Sequence, residues 1–154
     1  MNDQFIDKWD KRFLELSRLV GSWSKDPSTK IGCVIAKGKF IKSIGFNGYP
    51  SGIKDNPKDS RDLKLSKTIH AEVNAIINAR GNVKNCTLYT TPFPPCDKCG
   101  ALIVQSGISR IVVGLQHNLD FARWQQYIDI AQDMFIDAGI IVDRMYMKSE
   151  GKDY

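Results

Sequence analysis

His70, Glu72, Cys96 and Cys99 are the residues of this chain whose types and spacing could do chemistry. Two cysteines three positions apart place both sulfurs on one side of a first helical turn. Pro95, just before Cys96, suits that turn, where a missing N–H is harmless. A helix N-terminus favours negative charge and therefore thiolates. His70, from a separate helix start, adds a nitrogen donor. Zinc takes nitrogen and sulfur ligands in a tetrahedron, and three protein ligands leave one position open, the mark of a catalytic site. At such a site the metal lowers the pKa of bound water to about 7. Glu72, two residues after His70, is free to lean over the open position and move protons. The expectation is one catalytic zinc per chain, held by His70, Cys96 and Cys99, with Glu72 as the catalytic residue.

A lone C-x-x-C also occurs in redox pairs and structural zinc knuckles. A structural site would need a fourth protein ligand, for which Cys33, Cys86 and His117 are the candidates. Cys33 lies in the apolar run Ile31 to Ile35 and Cys86 opens another, so both read as core cysteines. The combination H-x-E with P-C-x-x-C is the signature of zinc deaminases, whose glutamate carries protons to the ring nitrogen and then to the leaving amine.

The elements that must position these groups follow from periodicity. Phe5, Ile6, Trp9, Phe13, Leu16, Val20 and Trp23 recur at steps of three and four, which predicts a helix from about Asp3 to Trp23. Lys30 to Ala36 and Phe40 to Phe46 read as a hairpin around Lys37-Gly38-Lys39. Asn47 to Arg61 reads as a long loop, and Leu63 to Thr68 as a lead-in to the His70 helix. That helix should bury Val73, Ile76 and Ile77 and stop at Gly81. A strand, Thr87 to Thr91, delivers the chain to a helix from Cys96 to Ser106, ended by Gly107. Arg110 to Leu115 is a buried strand, Phe121 to Ala138 a helix, and Ile140 to Met145 a last strand. In the Phe121 helix, Trp124, Ile128, Ala131 and Phe135 fall on one face and read as core or subunit packing. A helix, a hairpin and then alternating strands and helices predict an α/β fold. The expected form is a three-layer α/β/α sandwich around one mixed five-stranded sheet.

At 154 residues, with 42% hydrophobic and 25% charged residues, the chain reads as one globular domain, 1–154, with a polar tail from about 148. No apolar leader or membrane-spanning run is seen, which predicts a cytoplasmic protein without a membrane partner. Four cysteines in a reducing compartment favour metal binding over disulfides. The net charge of +5 suits a phosphorylated substrate or a nucleic acid. Lys37, Lys39 and Lys42 form the one cluster and read as a solvated turn, and no aromatic–basic stripe for RNA is visible. The charge does not decide between the two; the loop that Asn47 opens and the lack of such a stripe favour a small nucleotide and no nucleic acid.

The chain resembles the deoxycytidylate (dCMP) deaminases of the cytidine-deaminase-like fold, from about Leu14 to Val142. The resemblance rests on Lys25-Asp26-Pro27-Ser28, Gly45-Phe46-Asn47-Gly48-Tyr49-Pro50, His70-Ala71-Glu72-Val73-Asn74-Ala75-Ile76 and Thr91-Pro92-Phe93-Pro94-Pro95-Cys96-Asp97-Lys98-Cys99. It implies hydrolytic deamination of dCMP to dUMP with release of ammonia. It implies that Asn47 contacts the deoxyribose and that Lys25, Ser28 and His117 are candidates for the phosphate. It also implies a homohexamer, activated by dCTP and inhibited by dTTP, with Mg²⁺ on the effector triphosphate. The effector would bind the loop of Gly48, Tyr49, Gly52 and Asp55. Gly100 stands where many members carry alanine. The rival readings are a tRNA adenosine deaminase, a nucleoside cytidine deaminase and a non-catalytic zinc-binding interaction module. In the last of these Glu72 would be idle.

Overall fold

A computed structural model describes residues 6–149 of the chain. Five strands form one mixed sheet in the order β2-β1-β3-β4-β5. They are β1 Gly32–Lys37, β2 Phe40–Phe46, β3 Thr87–Thr91, β4 Arg110–Leu115 and β5 Ile141–Tyr146. β1 is antiparallel to both β2 and β3, whereas β3, β4 and β5 run parallel. The helices are α1 Lys8–Gly21, α2 Arg61–Lys67, α3 Ala71–Asn78, α4 Asp97–Ser106 and α5 Gln125–Asp137. α1 covers one face through Phe13, Leu14, Val34, Ala36, Tyr89 and Val112. α3, α4 and α5 cover the other through a larger cluster that includes Ala71, Ala75, Ile103 and Phe135. The expected three-layer sandwich is the observed one. Among the described residues no helix is long and apolar enough to cross a membrane.

Local chemistry moves several boundaries. α1 starts at Lys8, not near Asp3, because Asp7 caps it: its carboxylate accepts from the Trp9 and Asp10 amides at 2.7 and 2.9 Å. Asp10 returns the bond to the Asp7 N–H at 3.0 Å, which completes a capping box. Phe5 and the start of the expected helix lie outside the described residues, as does the end of the polar tail. The helix ends at Gly21, so Trp23 falls beyond it. β1 begins two residues later than expected, and β5 one later. The hairpin turn has two residues, with Gly38 at φ +57°. α2 was not expected; its cap is Ser60, whose hydroxyl accepts from the Leu63 amide at 3.2 Å. The residue that ends α3 region is Arg80, at φ +47°, rather than Gly81. Gly107, at φ +83°, ends α4 as predicted. The expected Phe121 helix divides into a short 3-10 helix, Ala122–Trp124, and α5.

The buried face of α3 also differs from the expectation. Ala71, Glu72 and Ala75 are inside, Val73 and Ile76 are partly buried, and Ile77 is 59% exposed. The reason is steric. Gly45 of β2 lies so close to the α3 backbone at Ala71 and Ala75 that a Cβ on it would collide there, so this side of the helix is the one pressed on the sheet.

Candidate active site

Two helix starts build the centre. His70 is the N-cap of α3 and Cys96 the N-cap of α4, and neither side chain caps its own helix. Both are therefore free to turn toward each other. Pro95 thus precedes the helix instead of lying in its first turn, and the helix opens at Asp97, one residue later than expected, with Cys96 as its cap. The His70 Nδ1 atom lies 3.2 Å from Cys99 Sγ and 3.5 Å from Cys96 Sγ. All three donor atoms lie within 4.8 Å of one another. Tetrahedral zinc, with Zn–S of about 2.3 Å and Zn–N of about 2.0–2.1 Å, requires N···S separations of about 3.5 Å. The triad fits that ion.

Protonation points the same way. The hydrogen bond from Cys99 pulls the Cys96 thiol down to about 4, and the bond with His70 adds to it. The shared proton, burial and the Glu72 charge hold Cys99 well above the usual thiol range. His70 is raised, chiefly by its bond to Cys96. These donors share protons that a divalent cation would displace. Glu72 is buried, and its Oε2 has no hydrogen-bond partner among the described residues. Burial raises its pKa, against the pull of the neighbouring His70. An orphaned, desolvated carboxylate oxygen beside a metal triad can take up and release a proton.

A cavity of ≈ 510 Å³ opens over this centre, with His70, Glu72 and Cys96 in its lining. Its other walls come from five separate stretches. Asn47, Ser28 and Thr29 flank the start of β1; Phe93 and Pro94 follow β3. α2 supplies Arg61, Lys64 and Leu65, and the 3-10 helix supplies Arg123 and Trp124.

The profile described as "Cytidine and deoxycytidylate deaminase zinc-binding region" matches residues 7–115. The chain belongs to this deaminase family. It is 48% identical over 138 residues to an uncharacterized deaminase from the luxG 3′ region of Aliivibrio fischeri, covering 89% of this chain and 93% of that one. It is 34% identical over 119 residues to human deoxycytidylate deaminase, covering 71% of this chain and 66% of the human protein. With the probable deoxycytidylate deaminase of Caenorhabditis elegans the identity is 40% over 111 residues, 68% of this chain and 56% of that protein. The chain thus spans nearly all of the bacterial relative but less than two thirds of either animal protein. The fold matches the crystal structure of cyanophage S-TIM5 dCMP deaminase in complex with dCMP and dUMP, with a TM-score of 0.75. Sequence identity there is 24%, and the match covers 92% of this chain and 99% of that one. As a member of the family the chain is a zinc-dependent hydrolytic deaminase.

Within this deaminase frame, the other expected residues fall into two groups. Asn47 is buried and lines the cavity. Its Oδ1 accepts from the Ile31 amide and its Nδ2 donates to the Thr29 carbonyl, each at 2.9 Å. Ser28 also lines the cavity, with its amide donating to Asp26 Oδ1 at 2.7 Å. Lys25 does not: its ammonium stands 3.3 Å from Asp55, with the side chain 85% exposed. His117 does not either, because its ring stacks on Tyr146 at 4.2 Å. Gly48 pairs with Ile69, the residue before His70, through backbone bonds of 3.1 and 2.8 Å. Tyr49 donates to Asp59 at 2.9 Å, and Gly52 turns the loop at φ +85°.

Sequence reasoning missed Arg61, Lys64, Arg123, Phe93 and Trp124 as cavity residues. Ser60 was the one local signal for α2, and nothing local marks which way its cations face. Core or subunit packing was expected of Trp124, Ile128, Ala131 and Phe135; Ile128, Ala131 and Phe135 are buried, whereas Trp124 lines the cavity from the 3-10 helix.

Proposed function

We propose that this chain hydrolyses dCMP to dUMP and ammonia. The observation that carries the reading is one cavity lined both by the deaminase centre and by three cations, Arg61, Lys64 and Arg123. Arg61 and Arg123 are exposed and Lys64 half-buried, so they stand toward solvent from buried Glu72. That arrangement suits a 5′-phosphate at the mouth and a base at the floor, since guanidinium binds phosphate bidentately. Phe93 and Trp124 offer apolar walls to a pyrimidine. Asn47 uses one acceptor site and one N–H internally, which leaves one of each for the deoxyribose hydroxyl. The similarity to deoxycytidylate deaminases supports the same substrate.

Zinc, held by His70, Cys96 and Cys99, supplies an activated water near neutral pH when bound. Glu72 would accept a proton on its buried carboxylate, deliver it to the ring nitrogen, and pass a proton to the departing amine. Its raised pKa suits it to hold a proton between these steps. Water adds and ammonia leaves, so no redox partner is needed. The phosphate role falls to Arg61, Lys64 and Arg123 rather than to Lys25 and His117; Ser28 remains within the cavity.

In this reading dCTP activates and dTTP inhibits by binding, with Mg²⁺, to the loop of Gly48, Tyr49, Gly52 and Asp55 in a homohexamer. The support is positional: Asn47 opens the loop, and Gly48 is paired to Ile69 beside His70. Two thiol ligands require a reducing compartment, which supports a cytoplasmic location.

Ammonia release from dCMP, deoxycytidine and an RNA hairpin tests the substrate. Charge-assisted hydrogen bonds contribute about 1.5–3 kcal/mol each, so dCMP should exceed deoxycytidine in kcat/KM by about 10²-fold or more. The double variant Arg61→Ala/Arg123→Ala should shrink that ratio. Equal efficiency on dCMP and deoxycytidine would overturn the phosphate reading, and turnover of the RNA alone would replace it with a tRNA deaminase.

A further inference from the structure

Among the described residues β2 has a sheet neighbour on one side only, and α3 lies against it. Three side-chain hydrogen bonds and one close backbone approach tie the two together. Ser43 Oγ donates to the Ala75 carbonyl at 2.6 Å. A Cβ at Gly45 would meet the Ala75 amide nitrogen and stand 2.5 Å from the Ala71 carbonyl oxygen. Asn78 Nδ2 donates to the Ile44 carbonyl at 3.0 Å, and Asn74 Nδ2 to the Phe46 carbonyl at 2.8 Å. Four residues along a helix rise about 6 Å. Two residues along a strand rise about 6.7 Å. The two asparagines therefore match two successive carbonyls of one parity on β2.

Phe46 immediately precedes Asn47. Beyond it, Asn47 is pinned to Ile31 and Thr29. On the other side, Asn74 lies one turn along the helix whose start carries His70 and Glu72. We infer that Asn74 is a positioning residue: it couples the end of β2 to the catalytic helix and so sets where Asn47 stands in the cavity. It reaches no cavity-lining position itself. Asn78 makes the same kind of bond one turn farther from the site, and is a control built into the molecule. The inference rests on the reading of Asn47 as a substrate contact.

The experiment compares Asn74→Asp, Asn74→Ala and Asn78→Asp in the zinc-loaded protein. Asn74→Asp is nearly isosteric but cannot donate; Asn74→Ala removes the donor while improving helix propensity. Two readouts are taken: amide hydrogen exchange at Ile31 and Asn47, and the KM–kcat split on dCMP. Both Asn74 variants should speed exchange at those two amides about fivefold and raise KM by a similar factor, the size of one net hydrogen bond. kcat and the zinc content should stay near the parent's. Asn78→Asp should lower Tm comparably to Asn74→Asp yet leave exchange at Ile31 and Asn47, and KM, within about twofold. Equal effects of Asn74→Asp and Asn78→Asp on exchange at those amides, or none from either Asn74 variant, would overturn the inference. A parent inactive on dCMP would overturn the substrate reading instead, while the exchange comparison still decides the clamp.

Discussion

At the scale of single residues, the site separates holding a metal from moving a proton. In the proposed mechanism His70, Cys96 and Cys99 hold the metal, and Glu72, whose Oε2 has no hydrogen-bond partner among the described residues, moves the proton. These roles predict different variants. Cys96→Ala and Cys99→Ala should lose zinc by elemental analysis. Glu72→Gln should keep the metal and the fold yet lose about 10²–10⁴-fold or more in turnover, because glutamine cannot accept and deliver the proton. Turnover within a few-fold of the parent would remove Glu72 from the role. The residue types and their spacing carried this much without a structure. Asn47 was legible only in part: its identity pointed to a sugar contact, but not to the two internal bonds that fix its amide.

At the scale of elements, a charged cluster ties α1 to three strands. Arg110 of β4 contacts Asp10 of α1 at 2.8 Å and Asp143 of β5 at 2.8 Å. The Tyr89 hydroxyl of β3 donates to Asp10 at 2.8 Å. Burial alone would raise the Asp10 pKa. The bonds from Arg110, the Asp7 amide and Tyr89 outweigh it and hold Asp10 below its ordinary 3.8. A depressed carboxyl pKa contributes stability that is present above the unfolded value and lost as pH falls through the folded one. Asp10→Asn should therefore destabilise the protein at pH 7 by about 3 kcal/mol, the low end for breaking a buried pair, since Asp143 still faces Arg110. The parent's advantage over the variant should shrink below about pH 4. Urea midpoints of both proteins, with chelator, at pH 7 and pH 3 check this. A gap of the same size at both values would contradict it. None of this cluster was legible in advance, because Asp10, Tyr89, Arg110 and Asp143 lie on four elements whose order in the sheet is not written in any one of them.

At the scale of the whole molecule, the cavity is assembled from stretches that are distant in the chain. Proposed regulation belongs here, because an effector acts only through its differential affinity for two states. Coupling of about 1–3 kcal/mol would shift apparent dCMP affinity about 5–150-fold. In a hexamer, dCMP saturation should be sigmoidal alone and hyperbolic with dCTP and Mg²⁺; curves indifferent to both dCTP and dTTP would rule the mechanism out. The sequence by itself determined the reaction centre and most elements. Cys96 and Cys99, like His70 and Glu72, are close in the chain, so one helix start carries each pair, and apolar periodicity marks buried faces. Only the tertiary structure decided that Arg61, Lys64 and Arg123 face one cavity, that Trp124 leaves the core for it, and that Asn74 grips the strand before Asn47. Those placements depend on how separate elements pack, and no local spacing encodes the distance between residues that meet only when the sheet is complete.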